Sequence, residues 1–113
     1  MIIIILRKMK YVIVNTTIGS ADKAEKLADR IVKSRLAACV QIIPIRSIYR
    51  WKGKVEKTKE YLLLLKTKAS LRNPLITFIR AHHPYELPEI VVTNITDGLN
   101  DYLKWINRET RNK

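Results

Sequence analysis

Pro84 and Pro88 set the firmest limit on how this chain folds. They bracket the most crowded stretch of chemistry in it, His82-His83-Pro84-Tyr85-Glu86-Leu87-Pro88-Glu89. Each proline fixes its own φ and drives the residue before it toward extended geometry. No helix can run through this segment. Two imidazoles, two carboxylates and a phenol are therefore held on a stiff turn, and rigid loops are where function tends to sit.

The elements on either side follow from periodicity. Lys10–Asn15 is β-branched and reads as a strand. Ser20 is placed to cap a helix, and Asp22 favours its N-terminal dipole. Ala24, Leu27, Ala28, Ile31 and Val32 then recur at helical spacing, which predicts an amphipathic helix ending near Leu36. Cys39–Ile43 reads as a strand that Pro44 interrupts, with a resumption over Ile45–Trp51. In that second run Ser47, Tyr49 and Trp51 share one face by period two, opposite Arg46, Ile48 and Arg50. Lys52-Gly53 signals a turn, and Tyr61–Lys66 is the return strand, so a long hairpin is expected. Leu71, Leu75, Phe78, Ile79 and His82 mark a second helix, with Pro74 in or near its first turn. Ile90–Ile95 is a fourth strand. Asp97-Gly98 turns, and Leu99, Tyr102, Leu103 and Ile106 predict a short terminal helix.

This order is βαββαβ plus a last helix. It predicts an α+β, ferredoxin-like sandwich with an extended hairpin and helices on one face of an antiparallel sheet. The other face would carry apolar side chains, and the long hairpin leaves exposed edges. Both point to an oligomer.

A length of 113 residues allows one domain. The run Ile2–Leu6 is far shorter than the about 20 residues that span a bilayer, and it lacks a signal-peptide cleavage site. A single cysteine, Cys39, excludes an intrachain disulfide and suits a cytosolic protein. Lys and Arg total 22 against 10 Asp and Glu, a formal charge of +12. The excess lies in the middle of the chain. Residues 46–72 carry nine basic groups (Arg46, Arg50, Lys52, Lys54, Lys57, Lys59, Lys66, Lys68, Arg72) and only Glu56 and Glu60. Beyond residue 72 the signs balance.

Three chemistries compete for the dense segment and the basic hairpin. Adjacent His82 and His83 are not an i, i+4 zinc pair, although both can reach one ion at an unwinding helix end; the alternative is that His82 packs on the core and His83 caps the helix. Tyr49 and Trp51 beside Arg46, Arg50, Lys52 and Lys54 suggest a nucleic-acid-binding ferredoxin-like module, but the third strand lacks the Gly-aromatic run of RNA-binding sheets. His83 with Glu86 suggests a small hydrolase, yet there is no nucleophile elbow, P-loop or GxGxxG, and catalysis is not expected. Cys39 in its apolar strand reads as a small buried hydrophobe.

Several separated motifs then resemble one family. They are Arg35-Leu-Ala-Ala-Cys-Val-Gln-Ile-Ile-Pro44, Ser47-Ile-Tyr-Arg-Trp-Lys-Gly-Lys54, Glu60 with Leu63-Leu-Leu-Lys-Thr67, His83-Pro-Tyr-Glu-Leu-Pro-Glu-Ile90, and Tyr102-Leu-Lys-Trp-Ile106. Together they resemble the CutA-type divalent-cation tolerance proteins across residues 9–107. Residues 1–8 read as an N-terminal extension and 9–113 as the single domain. The resemblance implies a PII-like homotrimer with inward sheets, a role in the response to metal ions, and copper or another divalent cation, or a small anion, bound at inter-subunit clefts. The cleft would be lined by Cys39, Tyr49, Trp51, Lys66, His83, Tyr85 and Glu86. The implied metal ligands are His82 and His83, with Asn15 standing where the family places a cysteine. Asn offers only a weak, hard oxygen to soft copper.

Overall fold

A computed structural model describes residues 10–112 of the protein; the extension expected over residues 1–8 lies outside them. The element order is β1 (Tyr11–Ile18), α1 (Ala21–Lys33), β2 (Cys39–Trp51), β3 (Lys54–Lys68), a 3-10 turn (Ala69–Leu71), α2 (Arg72–His82), β4 (Ile90–Ile95) and α3 (Asn100–Glu109). The four strands form one antiparallel sheet in the order β2-β3-β1-β4. That is the split-βαβ arrangement the sequence order predicts.

Local rules explain most boundaries. Ser20 Oγ accepts the Lys23 N–H at 3.2 Å and opens α1. At the hairpin tip Lys52 (φ 48°) and Gly53 (φ 79°) both take left-handed geometry, which matches a two-residue turn to the twist of its strands. Pro84 leaves His83 extended at ψ 137°, and α2 stops there.

Three expectations need correction. Pro44 does not interrupt its strand: β2 runs unbroken from Cys39 to Trp51, with Pro44 opposite Tyr61. β2 is an edge strand, so a residue without an N–H can be accommodated on its unpaired side. α1 ends at Lys33, short of Leu36, and Val32 is 40% exposed. Arg35 turns the chain at φ 60°, where glycine is usual, while the Leu36 N–H reaches back to the Ile31 carbonyl at 3.1 Å. The third correction concerns the helices, which do not all share one face.

Register assigns the faces. Val12, Val14, Leu63 and Leu65 point to one side and are buried with Leu27 and Ile31 of α1 and Leu75 and Ile79 of α2. The opposite side, called here the open face, carries Ile13, Asn15, Gln41, Ile43, Leu62, Leu64 and Val91. α3 shields only one end of it. There Ile106 is fully buried, and Lys68 Nζ donates to Asn107 Oδ1 at 3.2 Å and to the Thr110 carbonyl at 3.4 Å. A cation on the last carbonyls of a helix is favoured by the helix dipole. Arg35 completes the latch. Its guanidinium donates to the Arg108 carbonyl at 2.7 Å, and its own carbonyl accepts the Arg111 N–H at 2.9 Å. This contact supplies a physical reason for arginine at a left-handed position.

Candidate functional site

The loop from His83 to Glu89 runs between α2 and β4, and its side chains meet the end of β1 and the base of the hairpin. His83 Nε2 lies 2.8 Å from the Thr17 carbonyl, so this nitrogen carries the proton and donates. Its Nδ1 then accepts the Tyr85 N–H at 3.1 Å. The ring is fixed as one neutral tautomer. Burial pushes its pKa down from 6.5, opposed by the Thr17 hydrogen bond and the Glu60 charge.

Tyr85 stacks edge-on against His83, with ring centroids 4.8 Å apart, and donates its hydroxyl to Glu60 Oε2 at 2.8 Å. Glu60 is only 7% exposed. The Tyr85 ring is open on one edge, but its hydroxyl is tucked between Glu60 and Gly19, where an added Cβ would come within 3.0 Å of it. Burial is the largest cause raising the phenol to about 12, followed by the Glu60 hydrogen bond. Tyr49 and Thr58 extend the group along the same face of the hairpin, with their hydroxyls 3.5 Å apart. Trp51 follows by period two, and Glu86 Oε2 sits 3.8 Å from Lys52 Nζ at the hairpin tip.

At the sequence level Glu60 appeared as one of two carboxylates in the basic middle of the chain and within the family resemblance, not as a partner of the stiff loop. It shares the open face with Leu62 and Leu64 by strand parity, and a carboxylate beside two leucines in that row is a signal that period two exposes.

Not every expected residue joins this group. Cys39 begins β2 opposite Lys66, whose Nζ lies 5.5 Å from the Tyr102 ring. Six residues of β3 separate Glu60 from Lys66, roughly 20 Å at strand rise. The expected cleft is thus split within one protomer into two half-sites.

The residues expected as metal ligands each have their own surroundings. His82 Nδ1 donates to the Phe78 carbonyl at 2.8 Å, which leaves Nε2 to accept from Arg30 Nη2 at 3.1 Å. The ring stacks on Phe78 at 4.2 Å and ties α2 to α1. His83 faces the end of β1 instead. Both nitrogens of both rings are therefore engaged. Asn15 Oδ1 is buried with no hydrogen-bond partner, but it lies on β1 among the open-face residues, opposite Leu64 and Val91. Among the described residues no group of three His, Cys, Asp or Glu is placed to hold an ion. His82 packs toward α1 and His83 toward the end of β1.

The hydrolase alternative loses its pairing, because His83 faces Thr17 and Tyr85 while Glu86 faces Lys52. Of the basic residues expected beside Tyr49 and Trp51, Arg46 and Arg50 lie on the other face, while Lys54 shares their face and Lys52 Nζ lies 5.5 Å from the Trp51 ring.

A split-βαβ chain with a long hairpin, a half-open sheet and a proline-stiffened polar loop defines a ferredoxin-like α+β protein. More narrowly, the chain belongs to the CutA1 divalent ion tolerance protein family, whose pattern matches residues 12–109. It is 43% identical over 102 residues to the chloroplastic CutA protein of Arabidopsis thaliana, covering 89% of this chain and 56% of that one. It is 40% identical over 89 residues to the divalent-cation tolerance protein CutA of Pectobacterium atrosepticum, covering 78% of this chain and 81% of that one. The crystal structure of CutA1 from Oryza sativa superposes with a TM-score of 0.90 at 37% identity, covering 93% and 97% of the two chains. The chain spans about half the length of its plant and mammalian relatives. None of these names states a catalytic activity. No helix among the described residues is long and apolar enough to cross a membrane.

Proposed function

We propose that the protein acts as a cytoplasmic homotrimer in the response to divalent cations, with its ligand sites in the clefts between subunits. The observation that carries this reading is the open face. Ile43 and Val91 on it are 42% and 48% exposed, next to half-buried Ile13, Leu62 and Leu64. So large an apolar patch rimmed by polar groups marks an interface. Turning the open faces inward sets the Cys39–Lys66 half-site of one subunit against a neighbour, which would supply the loop of His83, Tyr85 and Glu86 with Tyr49, Trp51 and Glu60. The half-exposed free Cys39 suits a reducing compartment.

A cation, copper or another, would then take the Glu60 carboxylate from one subunit and any further donor from the Cys39 end of its neighbour. The carboxylate of Glu60 is an oxygen donor of the hard class, while Lys66 suits a small anion. Titration with Cu(II) and with Mn(II) tests the assignment, read beside the sedimentation mass. The expected result is a trimer whose cation affinity falls more in Glu60→Gln than in the His82→Ala, His83→Ala double variant. A monomer at micromolar concentration overturns the inter-subunit reading. Loss of binding in the double histidine variant alone returns the site to the imidazoles.

A further inference from the structure

Beyond Pro44 the β2–β3 ladder leaves the helices behind, and the two faces of this arm differ in character. One continues the helix-covered side of the sheet. On it Arg46 pairs with Lys59, Ile48 with Lys57 and Arg50 with Val55. All six are exposed, and among the described residues none of the four cations is in an ion pair. The reverse face carries Ser47, Tyr49 and Trp51 opposite Thr58, Glu56 and Lys54. Both carboxylates of the arm, Glu56 and Glu60, are on that reverse face. Charge is thus sorted by side as well as by sequence position. α2, on the same side of the sheet as the cationic face, adds Arg72 and Arg80 and contains no carboxylate.

We propose that the face formed by Arg46, Arg50, Lys57 and Lys59 binds the phosphate backbone of nucleic acid without reading its bases. The span fits. Arg46 and Arg50 stand roughly 13 Å apart along the strand, and their partners lie about 5 Å across the ladder. A nucleic-acid strand presents one phosphate per about 3.4 Å, so four cations meet about four phosphates. The chemistry sets the mode. The aromatics of the arm point to the other face, leaving no platform on which bases can stack, and contacts to phosphate carry no sequence information. The same absence disfavours a lipid surface, since Ile48 and Val55 are short and the interfacial anchors Tyr and Trp are turned away. The surface is independent of the inter-subunit cleft, because it is the face that inward packing of the sheets leaves outside.

Fluorescence anisotropy of the full chain with a labelled mixed-sequence DNA duplex of about 20 base pairs tests this at salt concentrations from about 50 to 200 mM. The expected slope of log affinity against log salt is about −3.6 per arm, from four phosphates at −0.9 each. The variant Arg46→Thr, Arg50→Thr, Lys57→Thr, Lys59→Thr keeps β-formers on an exposed face. It is expected to lose most of the affinity at the lowest salt, to flatten the slope, and to keep the wild-type melting temperature. A control removes equal charge elsewhere through Lys23→Gln, Lys104→Gln, Arg108→Gln and Arg111→Gln. An equal loss in the control shows that net charge alone acts and overturns the assignment. So does a wild type that fails to bind at low salt, or one that binds anionic vesicles through the same four residues more tightly than DNA.

Discussion

The inner and outer halves of the β2–β3 hairpin are made from the same two strands, yet they answer to different constraints. In the inner half Val40, Ile42, Leu63 and Leu65 face α1, and Leu63 and Leu65 are fully buried. In the outer half Ile48 and Val55 occupy the equivalent rows and are 69% and 58% exposed. Pairing is continuous through both. A ladder of backbone hydrogen bonds therefore does not demand a covered face, and what the arm displays is open to selection for partners. The largest test of this contrast is a matched pair of truncations. Leu65→Ala is expected to cost about 2–5 kcal/mol by urea denaturation, because it deletes buried contacts and leaves a cavity. Ile48→Ala is expected to change stability by less than about 0.5 kcal/mol. Similar costs in the two variants would show that something covers the cationic face.

Next in size is the junction between the halves, where Glu60 is held by Tyr85. Tyr85→Phe removes the only donor the described structure gives this nearly buried carboxylate, and a loss of about 1–3 kcal/mol is expected. The same contact predicts a titration. The Tyr85 phenol is raised from 10.0 to about 12, so its contribution to stability is complete below pH 10 and fades as the pH climbs toward 12. The ultraviolet phenolate titration of the wild type minus that of Tyr85→Phe should show this late midpoint. Glu60→Gln should bring it down, since the neighbouring charge is removed. A midpoint unchanged in Glu60→Gln would leave burial, with the neighbouring Tyr49, as the cause.

His83 gives the opposite sign at the other end of the pH scale. Burial lowers its pKa below 6.5, so the unfolded chain takes up the proton more readily than the folded one. Its contribution is complete above pH 6.5 and is lost as the pH falls through the lowered value. Melting temperature should therefore drop in mild acid, and His83→Gln, which can still donate to the Thr17 carbonyl, should flatten that drop. An identical pH profile in the variant would place the acid sensitivity elsewhere.

These tests also mark what was readable without coordinates. The βαββαβ order, the Ser20 cap, the hairpin turn and the bounds of β4 all rest on neighbours a few residues apart, and each was legible. Pro44 was not, because whether a proline breaks a strand depends on which strands lie beside it, and only the sheet order makes β2 an edge. The placement of α3 depends on Lys68 and Arg35, each far from it in sequence. The site divides along the same line. The prolines announced the stiff loop of His83, Tyr85 and Glu86. The bond from Tyr85 to Glu60, 25 residues away, and the separation of Cys39 and Lys66 from that loop needed the register of the sheet.

The smallest effect lies at the hairpin tip, where sign rather than size is informative. Lys52 holds a left-handed φ of 48° that a lysine side chain disfavours and asparagine tolerates. Against this, its ammonium lies 3.8 Å from Glu86, with both side chains more than two-thirds exposed. Exposed pairs contribute about 0–1 kcal/mol and fade with salt, whereas backbone strain does not depend on salt. Lys52→Asn should therefore be close to neutral at low salt and stabilising by a few tenths of a kcal/mol, up to about 1, once salt screens the lost pair. Melting curves at two salt concentrations read the difference. If Lys52→Asn stays destabilising at high salt, the ammonium is held at the tip by more than the carboxylate of Glu86, and the outer half of the hairpin is less independent of the loop than its exposure suggests.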